Sequence, residues 1–408
     1  MDLRNSNNIK LGEILFMRKG QIYSKITYKY DSLKHSEEKR VWQGMSTIAV
    51  TKGGRIFIAY DTGWPGDETR NPNHFVTLRY SDDQGKTFSD EILYIDTVED
   101  KQIITGDACL WLDPNDKLHL FWTQVDLRKS DDDPLDSELY GVTQRKLVNA
   151  GNWVYFEDTK GTTWEIVCEN PDEESPKFDN PRYCFDQDMI NKPLYTKSGR
   201  IIYSKYKFEK IIPFEYSDDM GKTFKPVPHP CQKRFDHCEP CLFQRDDGVI
   251  VCIWRSFNFL NINYSYDNGE TWTEIEETDI QTPFTKPAVI KLPSGLVVLC
   301  HNDDKRKRQN LCLYTSKDDG KTWNKKIIDK RYTVAYPDLD YRNGKLYLVY
   351  DHNRYTDKEI CLMIFDEKDL LTDKIPEIIT VCKPKGIITE WARNQEATYA
   401  QTDDINDY

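Results

Sequence analysis

Four residues of the types that exchange protons and hold anions stand at matching places in the second half of this 408-residue chain. Glu239 heads an apolar run and Arg255 closes the run after it. Arg308 follows a later pair of runs, and Tyr336 opens another in Ala335-Tyr336-Pro337-Asp338-Leu339. Phenols and carboxylates trade protons, and guanidinium groups form charge-assisted bonds to carboxylates. Asp107 and the stretch from Asp186 to Lys192 open two earlier runs, where they either bind hydroxyl groups or are plain strand-edge turns. Cys238 and Cys241 form the one close cysteine pair, without a second pair or a ligand-spaced histidine, so zinc and redox chemistry are set aside. No metal and no cofactor is expected. Residues this far apart act together only if the fold brings them to one point, which turns attention to what repeats.

One eight-residue phrase occurs four times: Ser81 to Phe88 (SDDQGKTF), Ser217 to Phe224 (SDDMGKTF), Ser265 to Trp272 (SYDNGETW) and Ser316 to Trp323 (SKDDGKTW). Its Asp and Gly suit a tight turn, since Asx side chains bond nearby backbone and Gly accepts positive φ. The Thr and the aromatic residue restart a strand and supply a large ring to bury. A second repeat underlies it. Six segments, 46–60, 108–122, 192–203, 239–254, 286–299 and 336–350, each read as extended run, turn, apolar run. Their turn residues Gly54, Asp116, Gly199, Gly248, Gly295 and Gly344 recur at the interval of about 40 to 50 residues that marks four-stranded blades. Two wider gaps hold charged, Pro-containing insertions at about 125–140 and 155–185.

Composition narrows the class. A 38% hydrophobic and 12% aromatic content favours a strand-rich core. The eleven cysteines lack a framework spacing, and Cys252, Cys300 and Cys312 sit inside apolar runs, as reduced buried thiols do. No apolar run reaches the roughly 18 residues of a membrane span. The N-terminal residues lack the charged and apolar regions of a secretory signal, so a cytoplasmic location is expected, or secretion if a signal has been removed. A net charge of −12, with Lys305 to Arg308 as the one short basic cluster, argues against nucleic acid.

The repeated phrase resembles the Asp box of the sialidases and related β-propellers, in which it joins the third and fourth strands of a blade away from the active site. The expected fold is therefore all-β, a six-bladed β-propeller of four-stranded antiparallel blades. Residues 1–40 would pack on or close the ring, 41–385 would form it, and 386–408 would be an acidic tail. The likeness extends to site positions over most of residues 42–370. Cys238-Glu239-Pro240, Trp254-Arg255-Ser256, Arg308-Gln309-Asn310, Ala335-Tyr336-Pro337 and Tyr350-Asp351 match the places where those enzymes carry functional residues. The resemblance implies an exo-acting, retaining glycosidase that releases a terminal acidic sugar from a glycan or glycoconjugate. Tyr336 would be the nucleophile, Glu239 its proton acceptor, and Arg255 and Arg308 the grip on the substrate carboxylate.

Two departures accompany the likeness. Sialidases place a third clamp arginine at the head of blade one, where this chain has Trp42-Gln43-Gly44-Met45-Ser46, and the carboxylate that would steady it is Asp351. Either Arg354 supplies that charge from the other direction, or the substrate differs and Trp42 and Gln43 stack on and bond to a sugar. The general acid would come from the loop Asp61 to Arg70, with Asp67 preferred and Glu68 next. A carbohydrate-binding propeller without catalysis, and a hydrolase or lyase for another uronate-type sugar, are the alternatives. Oligomeric state is not legible.

Overall fold

A short strand that is apolar on both faces has to be covered on both, and stacking small sheets around an axis covers each by its neighbour. The computed structural model describes residues 22, 24–63, 74–97, 103–126, 161–205, 214–227, 238–389 and 393. These form six antiparallel sheets set as the blades of a β-propeller. Blade one comprises Trp42–Val50, Ile56–Gly63, His74–Ser81 and Leu93–Thr97, and Ser24–Thr27 adds a fifth strand along its outer edge. Blade two runs from Ile103–Leu112 to Arg182–Asp186, and blade three from Leu194–Tyr195 to Lys225–Val227. Blade four comprises Cys238–Gln244, Ile250–Arg255, Phe257–Ser265 and Glu276–Pro283. Blade five runs from Ala288–Lys291 to Asn324–Asp329, and blade six from Val334–Arg342 to Ile379–Cys382. No helix among the described residues is long and apolar enough to cross a membrane.

The core is divided among the blade junctions. One cluster joins Ile48 and Tyr60 of blade one to Val349 and Ile360 of blade six, closing the ring. Others join blades one and two, two and three, three and four, four and five, and five and six. The four repeated phrases feed this arrangement. In each, the Ser hydroxyl receives the Gly N–H at 2.8 to 2.9 Å, while the Asp at the third position (Asp83, Asp219, Asp267 or Asp318) receives both the N–H and the hydroxyl of the Thr. The turn so locked throws its aromatic ring back onto the preceding blade. Phe88 packs with blade six, Phe224 with blade two, Trp272 with blade three and Trp323 with blade four. Trp272 stacks on Phe214 with ring centres 4.3 Å apart. Truncating a buried ring of this kind costs about 3–5 kcal/mol.

At the other end of the blades the innermost strands share an irregularity. Their pairing with the second strand slips between Gly44 and Thr47, Gly106 and Cys109, Cys238 and Cys241, and Ala335 and Asp338. Within each slip one non-glycine residue takes positive φ: Met45 at 56°, Asp107 at 54°, Glu239 at 45° and Tyr336 at 53°. A bulge re-aims a side chain that a regular strand would send to a sheet face. Here it does so in four of the six blades, one, two, four and six.

Buried among the strands of blades four and five is His301, stacked on Tyr314, with neither ring nitrogen hydrogen-bonded to a described residue. Burial lowers its pKa to about 4. Between that value and the ordinary value near 6.5, the unfolded chain binds a proton that the folded one refuses, so stability falls as pH drops from about 6.5 to about 4. His301→Phe should remove this dependence. In urea titrations its advantage over the parent should be larger at pH 5 than at pH 7.5, and equal advantages at both would contradict the assignment.

Candidate active site

Tyr336 and Glu239, carried by blades six and four, meet at the axis. The Tyr336 hydroxyl donates to Glu239 Oε1 at 3.0 Å. Arg255, at the end of the second strand of blade four, donates through Nη1 to Glu239 Oε2 at 2.6 Å and to the Tyr336 oxygen at 2.9 Å. Three guanidinium groups surround the phenol ring, with Cζ of Arg354, Arg308 and Arg255 at 3.9, 5.4 and 6.0 Å from its centre. Tyr336 and Arg255 are 7% and 6% exposed and Glu239 1%, whereas Arg308 is only partly buried and marks the open side. Burial raises the Tyr336 pKa above its ordinary value, against the pull of Arg255, Arg308 and Arg354. The phenol is therefore protonated at neutral pH and needs an acceptor before it can attack; Glu239 is within reach to be that acceptor.

The bulges are held by neighbouring blades. Asp61, at the end of the second strand of blade one, receives the N–H groups of Asp107 at 2.6 Å and Ala108 at 3.3 Å. Asp351, at the equivalent place in blade six, receives the Met45 N–H at 2.9 Å. Asn191 donates to the carbonyls of Glu239 and Pro240, Ser204 also donates to Pro240, and Asn302 donates to the carbonyl of Val334. Below Tyr336, Lys286 donates to the Pro337 carbonyl, and Lys192 donates to Asp338, which also receives Thr47 and Ile48. Burial would raise the pKa of Asp338, but Lys192 and Lys286 outweigh it and keep the group ionised. At Asp61, burial and then the charge of Asp107 outweigh the Asp107 and Ala108 N–H groups and the charge of Arg354, and push its pKa well above the usual carboxylate range.

Arg354 lies against the head of blade one, where the sequence has no arginine. Its side chain lies against Gly44, so closely that a Cβ there would come within 2.7 Å of Nε and 2.9 Å of Cγ. Asp351 Oδ2 takes both Nε and Nη2, at 2.9 and 2.8 Å, and the Arg354 carbonyl receives the Gln43 N–H. Burial would weaken the Arg354 charge, and Asp351 more than restores it.

The alternative role for Trp42 and Gln43 is corrected by their surroundings. Trp42 is fully buried, and its indole N–H donates to His74 Nε2 at 2.6 Å. The Gln43 amide is equally buried, donating to the Lys358 carbonyl and accepting from Arg40. Both side chains are spent inside the protein, so neither can stack on or bond to a sugar. Asp107 sits partly buried on its bulge at the axis. Asp67 and Glu68 lie outside the described residues. Sequence reasoning named Asp61, Asn191 and Gly44 only as members of longer stretches and did not foresee the bracing contacts they make. No group of three or more His, Cys, Asp or Glu residues placed to hold a metal ion occurs among the described residues.

Residues 54–348 match the family described as BNR repeat-like domain. No curated protein matches the chain. Among solved structures, a leech intramolecular trans-sialidase complexed with 2,7-anhydro-Neu5Ac superposes with a TM-score of 0.61 at 13% identity, over 86% of this chain and 71% of that one. The Hadza microbial sialidase Hz136 gives 0.59 at 14%, over 77% and 64%. The NanB sialidase of Streptococcus pneumoniae gives 0.57 at 16%, over 88% and 70%. The chain thus spans about two thirds of the length of these structures. At such identities the likeness establishes the fold.

The fit of Arg354 against Gly44 gives a direct test. Gly44→Ala should destabilise the protein by about 1–3 kcal/mol through overpacking, read by chemical denaturation. In an Arg354→Ala background the same change should cost far less. Equal costs in the two backgrounds would mean that the two residues are not in contact.

Proposed function

Since this chain belongs to the BNR repeat-like domain family and is built as a sialidase-like propeller, we propose that it is an exo-acting glycoside hydrolase that releases a terminal acidic sugar, sialic acid or a relative, with retention. The observation that carries the reading is the Tyr336–Glu239 hydrogen bond at 3.0 Å inside a ring of three arginines. A buried phenol bonded to a carboxylate and flanked by cations suits nucleophilic attack on a sugar that itself carries a negative charge. A neutral tyrosine does not repel that sugar, as an aspartate would.

In the proposed reaction Arg255, Arg308 and Arg354 receive the substrate carboxylate. The Tyr336 oxygen attacks the anomeric carbon as Glu239 takes its proton, and the glycosidic bond breaks with its electrons going to the leaving oxygen. A carboxylic acid from the loop that contains Asp67 and Glu68 gives that oxygen a proton. Water, deprotonated by the same group, then attacks the anomeric carbon of the tyrosyl intermediate from the opposite face. The phenolate leaves and recovers its proton from Glu239, so two inversions give net retention. Arg354, seated by Asp351 against Gly44, stands in for the clamp arginine of blade one.

Tyr336→Phe should lower turnover of an aryl sialoside by at least a thousandfold while the protein keeps its unfolding midpoint within a few degrees. Arg354→Ala should act mainly on KM, raising it about tenfold or more, because an interaction with the carboxylate is made before the transition state as well as in it. Unchanged turnover in Tyr336→Phe would remove the mechanism. Glycan binding without release of a reducing sugar would identify a binding propeller, and an unsaturated, ultraviolet-absorbing product would identify a lyase.

A further inference from the structure

The first strands of the blades run from the bulges to the turns of the repeated segments, so the channel they enclose has a second mouth on the face away from Tyr336. A cavity of about 640 Å³ opens there, within the roughly 300–1,000 Å³ of small-molecule sites. Lys192 and Asp338 form its inner end, and Asp246 and Gly295, in two of the turns, stand at its rim. The proposed reaction leaves it unused. On its wall is Asp340, two residues beyond Asp338 and on the same face of the strand. Its Oδ2 receives the Val50 N–H at 2.6 Å and its Oδ1 the Tyr341 N–H at 2.8 Å. An ionised carboxylate has about four acceptor sites, so each oxygen keeps one for a further donor, and the residue is incompletely buried. The cations around it are engaged elsewhere. Lys192, whose charge reaches Asp340, is bonded to Asp338 and the Leu339 carbonyl; Arg342 pairs with Asp116, and Lys291 with Asp246 and Asp319. Burial accordingly raises the Asp340 pKa, against the charge of Lys192 and the two N–H groups. A carboxylate so placed is costly without a cation, and an asparagine would meet the Val50 N–H as well.

We propose that this cavity binds a small organic amine, whose ammonium group pairs with Asp340 while its apolar body rests on Leu194, Ile290 and Tyr195. All three line the cavity and keep exposed surface, Tyr195 as much as 42% of it. The ammonium supplies the cation that Asp340 lacks among the described residues, through a charge-assisted bond to a free acceptor site. An anion is the poorer complement, because Arg342 and Lys291 already spend their charge on other acids. The site is independent of the glycosidase reading: it lies at the other end of the channel and needs no turnover to be detected.

The probes are 2-phenylethylamine and its neutral counterpart 2-phenylethanol, titrated calorimetrically into the full chain at neutral pH. The amine should bind at one site per chain, and the alcohol about tenfold or more weakly, the difference a hydrogen bond to a charged group makes. Asp340→Asn, which keeps an acceptor for Val50, should weaken the amine by about the same factor and leave the alcohol unaltered. A measurement on the parent protein covers the case in which that variant does not fold: the amine should shift the amide resonances of Val50 and Tyr341, the two donors to Asp340. Equal binding of amine and alcohol, no binding of either, an Asp340→Asn protein that folds and binds the amine as the parent does, or shifts that leave Val50 and Tyr341 untouched would each overturn the inference.

Discussion

Non-glycine residues resist the left-handed backbone, at a cost of order 1–3 kcal/mol each, yet this propeller places Met45, Asp107, Glu239 and Tyr336 there at equivalent stations. Everything proposed for the site depends on that constraint being met. A regular strand would direct Glu239 and Tyr336 into the packing between blades. The strain is sustained because other blades hold the bulges from outside, through Asp61, Asn191, Ser204, Asn302 and Asp351. The ring and the site are thus one construction: the groups that present the candidate catalytic side chains also tie one blade to another.

The electrostatics follow from that closeness. Glu239 and Tyr336 are taken almost wholly out of water, and an isolated carboxylate there would be costly. Arg255 meets both with one nitrogen, which sets a cation against the Glu239 carboxyl beside a phenol that burial keeps protonated. Arg354 is likewise sustained by Asp351. The site is an alternation of charges whose arginines outnumber their carboxylate partners around the phenol, leaving a local excess of positive charge. An acidic ligand is the complement of such a pit.

The fold was legible in the sequence because its signals are local. Turns at Gly54, Asp116, Gly199, Gly248, Gly295 and Gly344 need positive φ, and all six have it. The Ser, Asp, Gly and Thr of each repeated phrase bond one another within four residues. The meeting of Glu239 with Tyr336 was legible through family likeness, since the two are remote along the chain. Side-chain direction was not. Trp42 and Gln43 flank a slip in register, and a one-residue slip exchanges the faces of a strand, so nothing in their spacing revealed that both point inward. The place of Arg354 was half visible: the sequence shows that residues 42 to 46 lack an arginine, but only packing lays the Arg354 side chain across Gly44.

The claim at the centre is that Tyr336 is a nucleophile. It is tested most directly by quenching the protein with a fluorinated acidic-sugar glycosyl fluoride, which forms the covalent intermediate but slows its breakdown, and mapping the adduct by peptide mass spectrometry. The account predicts one sugar per chain, attached to the Tyr336 oxygen. A protein that turns over its substrate yet carries no adduct, or carries it on another residue, would contradict it.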